Sequence, residues 1–148
     1  MSSLQDTDES AFVIRPMTEA DLPAARTLWA RAEGVELAEG DSQSELGTYL
    51  HRNPGASQAA YSGDKLVGAV LAGHDGRRGL VYHLAVEPGY RGRGLGRDLV
   101  NRALGVLKDQ GIRRVLILVA QNNEAGRAFW IRAGWEALEF AQPMGIDL

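Results

Sequence analysis

The stretch Tyr82-His83-Leu84-Ala85-Val86-Glu87-Pro88-Gly89-Tyr90-Arg91-Gly92-Arg93-Gly94-Leu95-Gly96-Arg97 constrains the fold of this 148-residue chain more than any other. An apolar run of strand type stops at Pro88, and a helical pattern starts a few residues later. Strand and helix are therefore joined by a turn that holds Gly92, Gly94 and Gly96 alternating with Arg91, Arg93 and Arg97 nearby. Glycine tolerates positive φ and lets backbone N–H groups come close to a ligand. N–H groups at a helix start attract anions, an effect reinforced by the helix dipole. The arginines add positive charge where a phosphate would lie. Alone, such a turn is as readily a surface connection; together with the helix start it reads as a pyrophosphate cradle.

Spacing narrows the kind of cradle. No Gly-Lys pair exists, so a Walker loop is excluded. The dinucleotide fingerprint G-x-G-x-x-G fails as well, because its third position falls on Arg97 or Leu99. The region where a ribose-binding acid would stand reads Arg113-Arg114-Val115-Leu116-Ile117-Leu118.

Elsewhere strands and helices alternate. Phe12 to Pro16 reads as a strand, and Thr18 is a good N-cap for a helix whose apolar face is Leu22, Ala25, Leu28, Trp29 and Ala32. Ser42 to Arg52 reads as a second short helix. Ala59 to Ser62 and Leu66 to Gly73 form a hairpin pattern around Gly63-Asp64. Leu80 to Val86 is the next strand. Leu95, Leu99, Val100, Ala103, Leu104 and Leu107 make a helical stripe closed by Gly111. Val115 to Ala120 is continuously apolar, as in a strand buried on both faces. Asn123 to Ala133 reads as a helix and Trp135 to Phe140 as a last strand. Residues 1–11 are expected to be a disordered tail, and 12–148 one domain.

A net charge of −3 argues against nucleic acid or acidic lipid as the main partner. The chain has no cysteine, and His51, His74 and His83 show no metal-ligand spacing, so no metal is expected. No apolar run reaches membrane-spanning length, and Met1 to Ser10 lacks a signal-peptide core. The expectation is a cytoplasmic protein, monomer or homodimer, with no membrane and no nucleic-acid partner.

The pattern that fits the turn is Arg/Gln-x-x-Gly-x-Gly/Ala, met by Arg91, Gly94 and Gly96. It resembles the coenzyme A loop of the GCN5-related N-acetyltransferases, the GNAT superfamily. Leu84-Ala85-Val86-Glu87-Pro88 resembles the strand before that loop. Asn123-Glu124-Ala125-Gly126-Arg127-Ala128-Phe129-Trp130-Ile131-Arg132-Ala133-Gly134-Trp135 resembles the helix after it. Val13-Ile14-Arg15-Pro16 and Thr18-Glu19-Ala20-Asp21 resemble the family's opening, so the likeness runs from residue 12 to about 140. Gly73-His74-Asp75-Gly76-Arg77-Arg78-Gly79 resembles the YpeA-type bacterial branch.

The resemblance implies an α/β (α+β) fold: a mixed, mostly antiparallel central sheet flanked by helices and splayed at Leu84 to Val86. It implies direct transfer of an acetyl group from acetyl-CoA to an amine of a small molecule or protein. The cofactor residues it implies are Leu84, Ala85, Val86, Arg91, Gly92, Arg93, Gly94, Leu95, Gly96, Arg97, Asn123 and Trp130. A backbone N–H on the strand of Leu84-Ala85-Val86 would hold the thioester carbonyl. Asn123 would cap its helix and also contact the cofactor, while Phe129 and Trp130 would pack.

This chain departs from the family at its proton-handling positions. The usual acid, a tyrosine, is Trp130, whose indole N–H donates a hydrogen bond but delivers no proton near neutral pH. Two positions where relatives carry glutamate hold Leu80 and Leu118. The candidates left are Tyr82 and His83, which strict alternation would send to opposite faces of the strand. Tyr82 is placed ahead because some relatives carry a histidine there, although histidine has the better ordinary pKa for a base, about 6.5. Glu33, Glu36, Glu39, Asp41 and Glu45, with no basic residue among them, form either a solvated face or an amine-attracting border. Two other classes stay open: a non-catalytic acyl-CoA-binding or sensing module, and a nucleotide-binding regulatory domain.

Overall fold

In the structure, a computed structural model, residues 11–148 are described. The expected tail, apart from Ala11, lies outside them. In chain order the elements are β1 (Val13–Pro16), α1 (Leu22–Arg31), α2 (Gln43–Arg52), β2 (Gln58–Ser62), β3 (Lys65–His74), β4 (Gly79–Val86), α3 (Leu95–Asp109), β5 (Val115–Ile117) and α4 (Glu124–Arg132). Short 3₁₀ turns at Glu19–Asp21 and Pro88–Tyr90 precede α1 and α3. The described residues form two compact units: one runs to Ile117 and holds the sheet with α1 to α3, and Leu118–Leu148 holds α4.

The sheet order is β1-β2-β3-β4-β5. Its first four strands are antiparallel, and β5 lies parallel to β4. This is the mixed, mostly antiparallel sheet the resemblance implied. The hairpin between β2 and β3 turns at Gly63-Asp64, where Gly63 sits at φ 60°.

Period-2 burial then sorts the faces. On one, Leu22, Ala25, Leu28 and Trp29 of α1 and Leu46 and Leu50 of α2 pack with Ala59, Ala69, Leu71 and Ala85 of the sheet. Each fully buried leucine contributes roughly 1.5–3 kcal/mol. On the other, α3 buries Leu95, Leu99, Val100, Ala103 and Leu107. A Cβ on Gly68 would lie 2.8 Å from Leu99 Cδ1, so glycine at that position lets α3 settle closely onto β3.

Three expectations need correction. Val115 to Ala120 is not a six-residue strand buried on both faces: only Val115–Ile117 pairs, and these residues are half-buried. β5 ends the strand order and meets β4 at Gly79–Val81 alone, so it lacks a second neighbour to cover it. Trp135 to Phe140 forms no strand, for within its unit no ladder exists to satisfy its backbone. The third concerns alternation in β4. Ala69 pairs with Ala85 and Leu71 with Tyr82, so three steps on β4 oppose two on β3. That extra residue is a β-bulge, and His83 takes φ 54°, a left-handed value uncommon outside glycine.

Candidate active site

The bulge decides which side chains meet. Because His83 is the inserted residue, it joins Tyr82 on the α1/α2 side instead of pointing away. The Trp29 and His83 rings lie 5.4 Å apart, Tyr82 and His83 6.2 Å, and Tyr49 and Tyr82 6.3 Å, measured between centroids. Trp29 is wholly buried, and its Nε1 has no hydrogen-bond partner among the described residues. The strained φ of His83 is held by this packing, as such outliers commonly are at functional sites.

Asp41 completes the group. His83 Nε2 stands 3.0 Å from Asp41 Oδ1, with both side chains 15% exposed. Sequence reasoning counted Asp41 only as one of an acidic series, and the charge clustering was the sole signal for it. The structure separates that series. Glu45 Oε1 accepts the Ser42 N–H, and Ser42 Oγ accepts the Glu45 N–H, a reciprocal cap that starts α2. Burial, together with the negative charge of Asp41, raises the Tyr82 pKa above its ordinary value. A tyrosine base would need the opposite shift.

Beyond Val81 the edge of β4 has no β5 partner. The β4–β5 ladder thus stops just before the bulge, while Ala85 and Val86 stay paired with Ala69 and Gly68 of β3. The chain then turns through Pro88–Tyr90. Arg91 Nε donates to the Val86 carbonyl at 3.0 Å, which ties the first arginine of the turn back to the strand end. Arg93 stacks its guanidinium 5.4 Å from the Tyr90 ring centroid. Gly92 and Gly94 adopt φ 78° and 81°. Gly94 is the N-cap of α3, and Leu95, Gly96 and Arg97 form its first turn. A glycine cap brings no side chain to the first-turn N–H groups, and a Cβ on Gly92 or Gly94 would meet nothing within 4 Å. Open space over uncapped donors fits a phosphate ligand.

The remaining site candidates lie in the second unit. Asn123 Oδ1 accepts the Gly126 N–H at 2.9 Å, so it caps α4 as expected. Trp130 packs edge-on against Phe129 and Trp135, each with centroids 5.1 Å away. No cluster of metal-ligating side chains occurs among the described residues, and none of their helices is long and apolar enough to cross a membrane.

Residues 18–135 match the model of the acetyltransferase (GNAT) family. The chain belongs to the GNAT acetyltransferase family. An acetyltransferase of Sodalis glossinidius is 30% identical over 135 residues, covering 91% of this chain and 94% of that one. An acetyltransferase of Pectobacterium atrosepticum is 29% identical over 126 residues, covering 85% and 89%. The fold is shared with the PaiA N-acetyltransferase of Thermoplasma acidophilum, solved in complex with coenzyme A. That structure matches with a TM-score of 0.71 and 19% identity over 85% of this chain and 90% of that one.

Proposed function

We propose that this GNAT protein is an acetyl-CoA-dependent N-acetyltransferase whose working centre is the bulged end of β4 with the turn that follows it. One observation carries the reading: the bulge with left-handed His83 and the glycine-capped start of α3 occur within sixteen consecutive residues, 82–97. When bound, acetyl-CoA would supply a thioester carbonyl open to attack by a neutral amine.

The chain's own groups then divide the work. The first-turn N–H groups of α3, with Arg91, Gly92, Arg93, Gly94, Leu95, Gly96 and Arg97, hold the pyrophosphate. By resemblance, a backbone N–H on the strand of Leu84 to Val86 would orient the thioester and stabilise the charge that develops on its oxygen. His83 accepts the proton released by the attacking amine. Tyr82, kept protonated by its raised pKa, donates its hydroxyl hydrogen toward the departing thiolate. This assigns the base to His83 and the donor role to Tyr82, the reverse of the order read from sequence. By resemblance, Asn123 and Trp130 complete the cofactor contacts. The acceptor is an amine of a small molecule or protein in the cytoplasm. Residues 12–148 are read as one domain, supported by a family match that runs through both units.

Thiol release from acetyl-CoA, followed against a panel of peptide N-termini, lysine, polyamines and aminoglycosides, tests this. The expected result is release that depends on at least one amine class and falls about a hundred-fold or more in His83→Ala. Coenzyme A binding with no amine-dependent release would make the protein an acyl-CoA-binding module instead.

A further inference from the structure

We propose that Asp41 is the positioning residue of His83: it fixes the imidazole as the Nε2–H tautomer and leaves Nδ1 as the proton-accepting atom. The inference rests on the acetyltransferase reading of β4 and adds a residue that no family position supplied.

Asp41 is itself held on all sides. Its Oδ2 accepts the Ala38 N–H at 3.0 Å. Its carbonyl oxygen accepts from Arg26 Nε of α1 at 3.0 Å, and its N–H donates to the Ala38 carbonyl at 3.1 Å. One carboxylate oxygen is thus anchored on backbone, while Oδ1 faces His83 Nε2 at 3.0 Å. A carboxylate accepts and cannot donate, so the hydrogen between them belongs to the imidazole. A neutral ring with Nε2–H has its lone pair on Nδ1. When Nδ1 takes a proton, the adjacent carboxylate stabilises the imidazolium.

The groups around this ring are few. Asp41 approaches from the segment before α2, Tyr82 adjoins on β4, and Trp29 of α1 covers the ring. Tyr49 of α2 reaches it only through Tyr82, and Arg26 binds the Asp41 main chain. Asp41 is the only carboxylate paired with His83 among the described residues.

Asp41→Asn decides the matter, because an amide can donate to Nε2 and stabilise the other tautomer. Nitrogen-15 NMR of His83 should show Nε2–H in the native protein and a shift toward Nδ1–H in the variant. The variant should lose about ten- to a hundred-fold in kcat/KM, no more than loss of the general base itself would cost, with acetyl-CoA affinity unchanged. In an His83→Ala background, Asp41→Asn should cost nothing further. If Asp41→Asn is poorly folded, Asp41→Glu, which keeps the carboxylate, should retain the native tautomer. An Nδ1–H tautomer in the native protein, or an equal loss from Asp41→Asn with and without His83, overturns the proposal. Absence of any amine-dependent turnover in the native protein would instead refute the acetyltransferase reading, and the tautomer measurement would still decide the pairing.

Discussion

Asp21 shows how a single charge is accommodated in this core. It is 2% exposed and accepts from the Thr18 amide, the Tyr61 hydroxyl and Arg15. Burial pushes its pKa up, but those donors outweigh burial and hold it below the ordinary 3.8. A depressed native pKa means that ionised Asp21 stabilises the fold above about pH 4 and loses that effect as pH falls through the lower native value. Asp21→Asn should therefore cost about 1–3 kcal/mol near pH 7. Denaturant titrations should show the gap to the native protein narrowing as pH falls below about 4; a gap that stays constant on acidification would contradict the role. Tyr82 offers a second test. Tyr82→Phe should slow turnover about ten-fold or more while leaving the acid limb of the pH profile unmoved, because that limb belongs to another group. Disappearance of the limb would identify Tyr82 as the base. The Asp41–His83 pairing was not legible beforehand: the two lie 42 positions apart, and nothing in the residues between them links the two.

At the scale of elements, the sequence was readable where one strong local signal sufficed. The stripe from Leu95 to Leu107 became α3, Ser42 capped α2, and Gly63-Asp64 turned the hairpin. It misled where tertiary pairing decides. Val115 to Ala120 has the residue types of a strand, yet its ladder with β4 covers only Val115–Ile117. The bulge at His83 carries no glycine or proline to announce it; it arises from the register between β3 and β4. That irregularity overturned the rule that would have separated Tyr82 from His83. The turn before α3 makes a direct prediction. Native protein with coenzyme A at about 100 times its dissociation constant should gain roughly 2.7 kcal/mol. Gly94→Asp places a carboxylate and a Cβ at a φ 81° position over the helix start, and should abolish that gain. A full thermal shift in the variant would mean that coenzyme A binds elsewhere.

For the whole molecule, the acidic balance of −3 sets off the local cluster at Arg91, Arg93 and Arg97, which the proposed function uses to hold the pyrophosphate. With no cysteine in the chain, the nucleophile most suited to accept an acyl group is missing. Direct transfer, which membership of the GNAT family implies, needs no such nucleophile, with both substrates held together and proximity supplying much of the rate. The measurement that tests this most directly follows labelled acetyl-CoA through one turnover, with the mass of the protein and of the amine recorded together. The account predicts one thiol released for each acetylated amine, no acetyl left on the protein, and no thiol when the amine is omitted. A stoichiometric acetylated protein formed without amine, or thiol release with no acetylated amine, would contradict it.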